Sequence, residues 1–241
     1  MTSKARLLRD IRKVSTRARA TVSQRFFKTG PGEYGEGDRF LGTTVPDLRR
    51  LSVKYEAMPL RDLSSLLKSR WHEERLLALL ILVRQYERGA PSTRNAIYRL
   101  YLGHTRYINN WDLVDTSADA IVGAHLYDGD RALLRKLAQS RSVWERRIAI
   151  LASFHFIKRG EYEDALTITE LLLRDEHDLI HKAVGWMLRE IGKRDQAVEE
   201  RFLKTHAARM PRTMLRYAIE RFPEPLRRRY LNARGGRLRG A

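Results

Sequence analysis

Along most of the chain apolar residues recur three and four positions apart, the spacing of a helix that turns one face to a core. Residues 71–86 (WHEERLLALLILVRQY) and 144–159 (WERRIAILASFHFIKR) are apolar round much of their circumference, which predicts two helices with neighbours on both sides. Alternating runs of the strand type are missing. Breakers at Gly30 to Gly37, Pro46, Pro59, Gly89 to Pro91, Gly103, Gly129, Gly160, Gly192, Pro211 and Pro223 to Pro225 cut the chain into helices of ordinary length.

A repeat underlies this pattern. The segment WHEERLLALL from Trp71 resembles WERRIAIL from Trp144, an offset near two units of about 35–40 residues, and the segments at Trp111 and at Ile180 to Trp186 fall near the same spacing. That period predicts an all-α fold, a right-handed α-solenoid of about six HEAT-like antiparallel helix pairs. In such a stack, equivalent positions of successive helices would line one concave, basic groove. A single domain is expected over residues 1–231, followed by a basic Gly/Arg tail, 232–241, without fixed structure. The stretch from Gly30 to Gly37 matches the glycine spacing of dinucleotide-binding loops, but it contains Pro31 and follows no strand, so it reads as a plain loop.

Charge narrows the class of partner. Lys and Arg number 47 against 29 Asp and Glu, a formal charge of +18, and Arg outnumbers Lys by more than three to one. The planar guanidinium suits phosphate, so the expected partner is nucleic acid. A membrane is disfavoured: the charge is spread along the chain, and no apolar run reaches the roughly 18–20 residues of a span. Cysteine is absent, which removes thiolate nucleophiles and Cys-ligated metal sites and fits a reducing, cytoplasmic compartment. His177 and His181 stand one helical turn apart without a convincing third ligand, and His72-Glu73 lacks the second histidine of a zinc-protease helix, so no metal is expected. No cofactor is expected either.

Three fragments carry candidate chemistry: Asn110-Trp111-Asp112-Leu113-Val114-Asp115, Trp144-Glu145-Arg146-Arg147, and the run from Lys182 through Trp186 to Glu190. Trp111 and Asp115 are four apart, so on a helix an aromatic wall and a carboxylate share one face. A carboxylate there repels the phosphates that the rest of the chain attracts, which asks for a reason beyond binding. Together with Phe40-Leu41-Gly42 and Pro46-Asp47-Leu48-Arg49, these stretches resemble, in order from about Phe26 to about Pro225, the AlkD family of HEAT-like-repeat alkylpurine DNA glycosylases.

The resemblance implies that the catalytic carboxylate is Asp115 and that Trp111 and Trp186 are the pocket tryptophans. Arg147 falls on the phosphate-contacting arginine, Arg189 on a further DNA-facing position, and Phe26 where a well-known member has Tyr, so the ring is kept and the hydroxyl lost. Lys182, Arg212 and Arg216 are candidate backbone contacts. The implied activity is monofunctional: hydrolysis of the N-glycosidic bond of cationic N3- and N7-alkylpurines in duplex DNA, as a monomer, without enclosing the base. The chemistry is consistent with these residue types. A cationic purine leaves without a general acid, a carboxylate can stabilise the oxocarbenium-like sugar and orient water, and indole faces add about 0.5–2 kcal/mol each of cation stabilisation.

Other readings compete. Asp112 lies three residues before Asp115, so on the residues alone either could reach the sugar. Trp144, on the face of Ile148 and Leu151, is expected in the core. A non-catalytic binder of damaged or branched DNA, or a protein-interaction scaffold, would use the same helices.

Overall fold

A computed structural model describes residues 3–232. Among them every regular element is helical, and the all-α, helical-repeat class expected from the pattern is the class observed. The one isolated β-bridge among the described residues joins Arg39 to Trp71. The chain divides into two compact units, Met1–Ile121 and Val122–Ala241. Of the expected tail, residues 233–241 lie outside the described residues.

The first unit comprises α1 (Ser3–Lys13), α2 (Arg17–Phe26), α3 (Val45–Lys54), α4 (Leu60–Leu67), α5 (His72–Arg88), α6 (Pro91–Leu102) and α7 (Trp111–Ser117). Its centre is α5, whose residues from His72 to Leu82 are all buried and which packs against α3, α4, α6 and α7. The second unit holds α8 (Ala124–Leu126), α9 (Ala132–Ala138), α10 (Val143–Ala152), α11 (Phe154–Ile157), α12 (Glu163–Leu172), α13 (Asp178–Gly192), α14 (Gln196–His206), α15 (Arg212–Ala218) and α16 (Glu224–Asn232). There α13 is central, packed against α10, α12, α14 and α15. Gly185 permits the closest of these approaches: a Cβ would stand 2.4 Å from the Met214 carbonyl oxygen and 2.5 Å from Tyr217 Cβ. The prolines sit where their missing N–H is harmless, Pro46 and Pro91 in first turns, Pro59 and Pro211 at N-caps.

Helices α5, α7, α10, α13 and α15 begin 39, 32, 35 and 34 residues apart, which is the repeat read from the sequence. Its register is set by a turn, not by tryptophan. Ser69 Oγ accepts from Trp71 N (3.1 Å) and donates to Glu74 (2.6 Å), while Arg75 Nη1 donates to Ser69 O (3.0 Å). Ser140 Oγ likewise accepts from Ser142 N (3.1 Å) and donates to Glu145 (2.5 Å), and Arg146 Nη1 donates to Ser140 O (3.0 Å). The counterpart of Trp71 is therefore Ser142, and Trp144 falls two positions further on, at the place of Glu73. Trp144, expected in the core, is only part-buried, in the first turn of α10. The helix expected over 144–159 is also interrupted, at Ser153, whose hydroxyl donates to Ile150 O (2.6 Å) and separates α10 from α11.

Candidate functional site

In the first unit, Trp111 opens α7. Asn110 caps it through its side-chain oxygen, which accepts from Trp111 N (2.9 Å). Trp111 stacks on Phe27 (ring centroids 5.3 Å apart, 19° between planes), and Phe27 stacks in turn on Phe40 (4.9 Å, 19°). Phe26 meets Trp111 edge-on at 6.0 Å and is 63% exposed. Helix α2 buries none of its residues, so its C-terminal end presents Phe26 as an uncovered ring beside the indole. Asp115 follows Trp111 by one turn and is part-buried. Beneath it Tyr101 is fully buried and shares a hydrogen bond with Ser117 (3.1 Å). Burial raises the Tyr101 phenol, and the charges of Asp115 and Asp119 raise it further, so it stays neutral.

The neighbouring carboxylate has a different environment. Asp112 Oδ2 lies 2.7 Å from His72 Nε2, and its Oδ1 accepts from Leu113 N (2.9 Å). His72 Nδ1 lies 2.7 Å from Asp38 Oδ2, and Asp38 also accepts from Arg75 Nη2 (2.7 Å) and Asn110 Nδ2 (3.3 Å). His72 is 1% exposed. Burial pushes its imidazole down, but Asp112 and Asp38 outweigh that and raise it to about 9; Asp38, pushed up by burial, is held at about 2 by His72 and Arg75. His72 is thus an imidazolium.

This cluster rests on the Phe40-Leu41-Gly42 stretch. The Glu73 carboxylate accepts from the N–H groups of Leu41 (2.8 Å), Gly42 (2.7 Å) and Thr43 (3.2 Å). Gly42 has φ +83° and leaves no room for a Cβ, which would stand 2.1 Å from Thr16 O. The loop from Gly30 to Gly37 is a series of turns leading to Asp38, in agreement with its reading as a plain loop.

In the second unit, Trp186 is part-buried on α13 and donates from Nε1 to Glu190 (3.2 Å). Glu190 also receives Lys193 (2.6 Å) and Arg194 (3.0 Å); burial raises its carboxyl, and these donors lower it by more. Phe154 tilts toward Trp186 at 6.1 Å. Arg189 pairs with Glu220, and Lys182 pairs with Asp178 at 2.7 Å. Arg147 is only 5% exposed and donates to Leu179 O (2.6 Å), tying α10 to the first turn of α13. Arg212 and Arg216 are exposed on α15. His177 Nδ1 accepts from Leu179 N (3.1 Å), and His181 Nε2 bonds Asp175 O, so both rings serve local turns.

Within the first unit, then, Phe26, Trp111 and Asp115 come together, and within the second Lys182, Trp186 and Arg189 share α13. Sequence reasoning did not single out Phe27, the ring on which Trp111 stacks, nor Asp38, and it considered His72 only as a metal ligand. The doublet Phe26-Phe27 at a helix end was the available signal for the first. Nothing local marks Asp38, which lies 34 residues from His72.

These features define an all-helical repeat protein with a tryptophan and a carboxylate displayed on one helix. The chain belongs to the family of DNA alkylation repair enzymes, whose model matches residues 7–222. Among solved structures, a predicted DNA alkylation repair enzyme from Enterococcus faecalis superposes with a TM-score of 0.66 at 16% identity, covering 87% of this chain and 97% of its own. The smu.31 protein from Streptococcus mutans UA159 gives 0.55 at 16% identity, covering 92% and 100%. At that identity the likeness concerns the fold. No curated protein matches the chain. Membership gives the protein a role in DNA repair, with DNA as its substrate. Among the described residues no helix is long and apolar enough to cross a membrane.

Proposed function

We propose that this protein is a monofunctional DNA glycosylase that hydrolyses the N-glycosidic bond of cationic N3- and N7-alkylpurines in duplex DNA, acting as a monomer. The observation that carries the reading is the pair on α7. Asp115 follows Trp111 by one turn, while the rival carboxylate, Asp112, has one oxygen on His72 and the other on Leu113 N. Asp115, on the face of α7 that carries Trp111, would stabilise an oxocarbenium-like sugar and orient the attacking water. The ring face of Trp111 would stabilise the cationic lesion, and Trp186 in the second unit is a further indole able to stabilise a cation. No general acid is assigned, because a cationic purine carries its own activation. Lys182 is ion-paired to Asp178, which argues against an amine nucleophile and against strand cutting. Arg189, Arg212, Arg216 and the formal charge of +18 supply attraction to the phosphates.

The test uses duplexes carrying N7-methylguanine or uracil. Release of the methylated base, with the strand intact until alkali treatment, is expected. Efficient uracil release, or an adduct trapped by borohydride, would overturn the mechanism.

A further inference from the structure

We propose that His72 is a positioning residue for the reaction: as an imidazolium between Asp38 and Asp112 it holds the first turn of α7, the helix that carries Trp111 and Asp115. This rests on the glycosylase reading of α7 given above.

The repeat supplies the first argument. The serine turn at residues 69–75 recurs at residues 140–146 with the same hydrogen bonds, and there the position of His72 is taken by Val143. The turn therefore folds without a histidine. What His72 adds is a link from α5 to the loop residue Asp38 on one side and to the start of α7 on the other.

Proton counting supplies the second. Both ring nitrogens stand 2.7 Å from a carboxylate oxygen. A neutral imidazole has one N–H and can donate to only one of them, whereas the cation donates to both. The surroundings favour the cation from each element packed on it: Asp38 from the loop, Asp112 from α7, and the rings of Phe40 (4.5 Å) and Phe27 (4.9 Å). Arg75, on α5 itself, is matched by Asp38; Glu73 faces the backbone N–H groups of residues 41–43; and Arg19 lines the same 330 Å³ cavity as His72 and Asp112. Asp38 and Asp112 are thus matched by His72 and Arg75. When His72 loses its proton, its single N–H serves Asp38 or Asp112 but not both: if it stays on Asp38, Asp112 keeps only the N–H of Leu113, and if it turns to Asp112, the tie from the loop to α7 is cut. In the first case an uncompensated carboxylate stands three residues before Asp115 on the same helix. Either loss loosens the turn that carries Trp111.

The variants are His72→Gln, His72→Val and Asp112→Asn. Single-turnover base release from N7-methylguanine duplex is followed from about pH 6.5 to about pH 9.5, the range over which His72 changes charge. The DNA-free protein is followed by NMR through the Trp111 indole and His72 ring nitrogens. For the parent, release is expected to fall on the alkaline side as His72 titrates, with the Trp111 indole signal moving over the same range. His72→Gln and His72→Val should release base at least about tenfold more slowly with duplex affinity within about twofold. Asp112→Asn should remove the alkaline fall while leaving the neutral-pH rate nearly unchanged.

A folded His72→Gln protein with the parental rate and pH profile would overturn the proposal. So would a His72 ring that titrates near the ordinary histidine value, a measurement on the parent that stands even if His72→Val fails to fold. Absence of base release from the parent would sink the glycosylase reading alone, because the NMR titration still decides whether an imidazolium holds α7.

Discussion

At residues 69–75 and again at 140–146 the chain makes one turn twice: a serine accepts from the backbone two residues on, donates to a glutamate five on, and receives an arginine six on at its carbonyl. The two copies then part company. Arg75 reaches the buried Asp38, which His72 joins to Asp112 of α7, whereas Arg146 reaches Asp175 and Val143 stands in the place of His72. The shared part is scaffold, since it is kept where no candidate carboxylate follows. The part that differs leads to Trp111 and Asp115. In a repeat protein the departures from the repeat are therefore the places to look for chemistry.

The contrast can be broken most directly through the two arginines. Arg75 and Asp38 are both nearly inaccessible, with side chains 5% and 3% exposed, and Arg75→Ala leaves a buried carboxylate short of a partner. A loss of about 3–5 kcal/mol is expected on denaturant unfolding. Arg146 is 20% exposed, so Arg146→Ala should cost about 1–2 kcal/mol. Equal losses would remove the distinction between the copies.

Activity should follow the same division. Asp115→Asn is expected to slow base release by at least about 100-fold, near 2.7 kcal/mol of transition-state stabilisation, with duplex affinity unchanged or tighter because a charge that repels phosphate is gone. Asp112→Asn should stay within about threefold of the parent near neutral pH, since the amide oxygen still accepts from His72. Single-turnover rates and duplex titrations of both variants measure this, and a larger loss for Asp112→Asn would move the chemistry to that residue.

Binding should depend on exposed cations that neither copy of the turn uses. The double variant Arg212→Ala/Arg216→Ala is expected to weaken duplex binding by about tenfold and to lower the slope of log affinity against log salt by about 1–2, with the rate at saturating DNA unchanged. An unchanged salt slope would place the phosphate contacts elsewhere.

The smallest effect concerns a buried carboxyl with no counter-ion of the kind Asp38 enjoys. Glu199 is 1% exposed, Oε1 has no hydrogen-bond partner, and Oε2 occupies the space a Cβ on Gly192 would need. Burial, aided by the charge of Glu200, raises it to about 9. Its folded value lies above its unfolded one, so the folded protein holds a proton that the unfolded chain releases, and stability falls as pH rises between about 4.5 and about 9. Asp38, held at about 2, has the opposite sign: its contribution is present above the ordinary carboxylate range and is lost as pH falls toward 2. Glu199→Gln should raise Tm by a few degrees at about pH 8 and by almost nothing at about pH 4.5. A Tm difference independent of pH would show that Glu199 does not titrate in that window.

Much of this was legible in the chain. The three-and-four spacing of apolar residues, the breakers at helix starts and the period near 35 residues follow from local preferences, because a helix is closed by hydrogen bonds within its own segment. The placement of Trp111 and Asp115 on one face follows from the same geometry. Residue identity also fixed the net charge, and with it the attraction to a polyanion, without reference to any fold.

Other features depend on residues distant in sequence. Asp112 is engaged by His72, 40 residues earlier, and His72 is held in turn by Asp38, a further 34 residues back. The stack of Phe40, Phe27 and Trp111 and the burial of Arg147 against Leu179 are likewise contacts between helices or loops. Such contacts leave no periodic trace, because each pair meets only after separate elements have packed. The sequence determined the helices and the chemistry they could carry; the tertiary structure decided that Asp112 is tied to His72, since burial and contacts between distant residues belong to the assembled core and to no single helix.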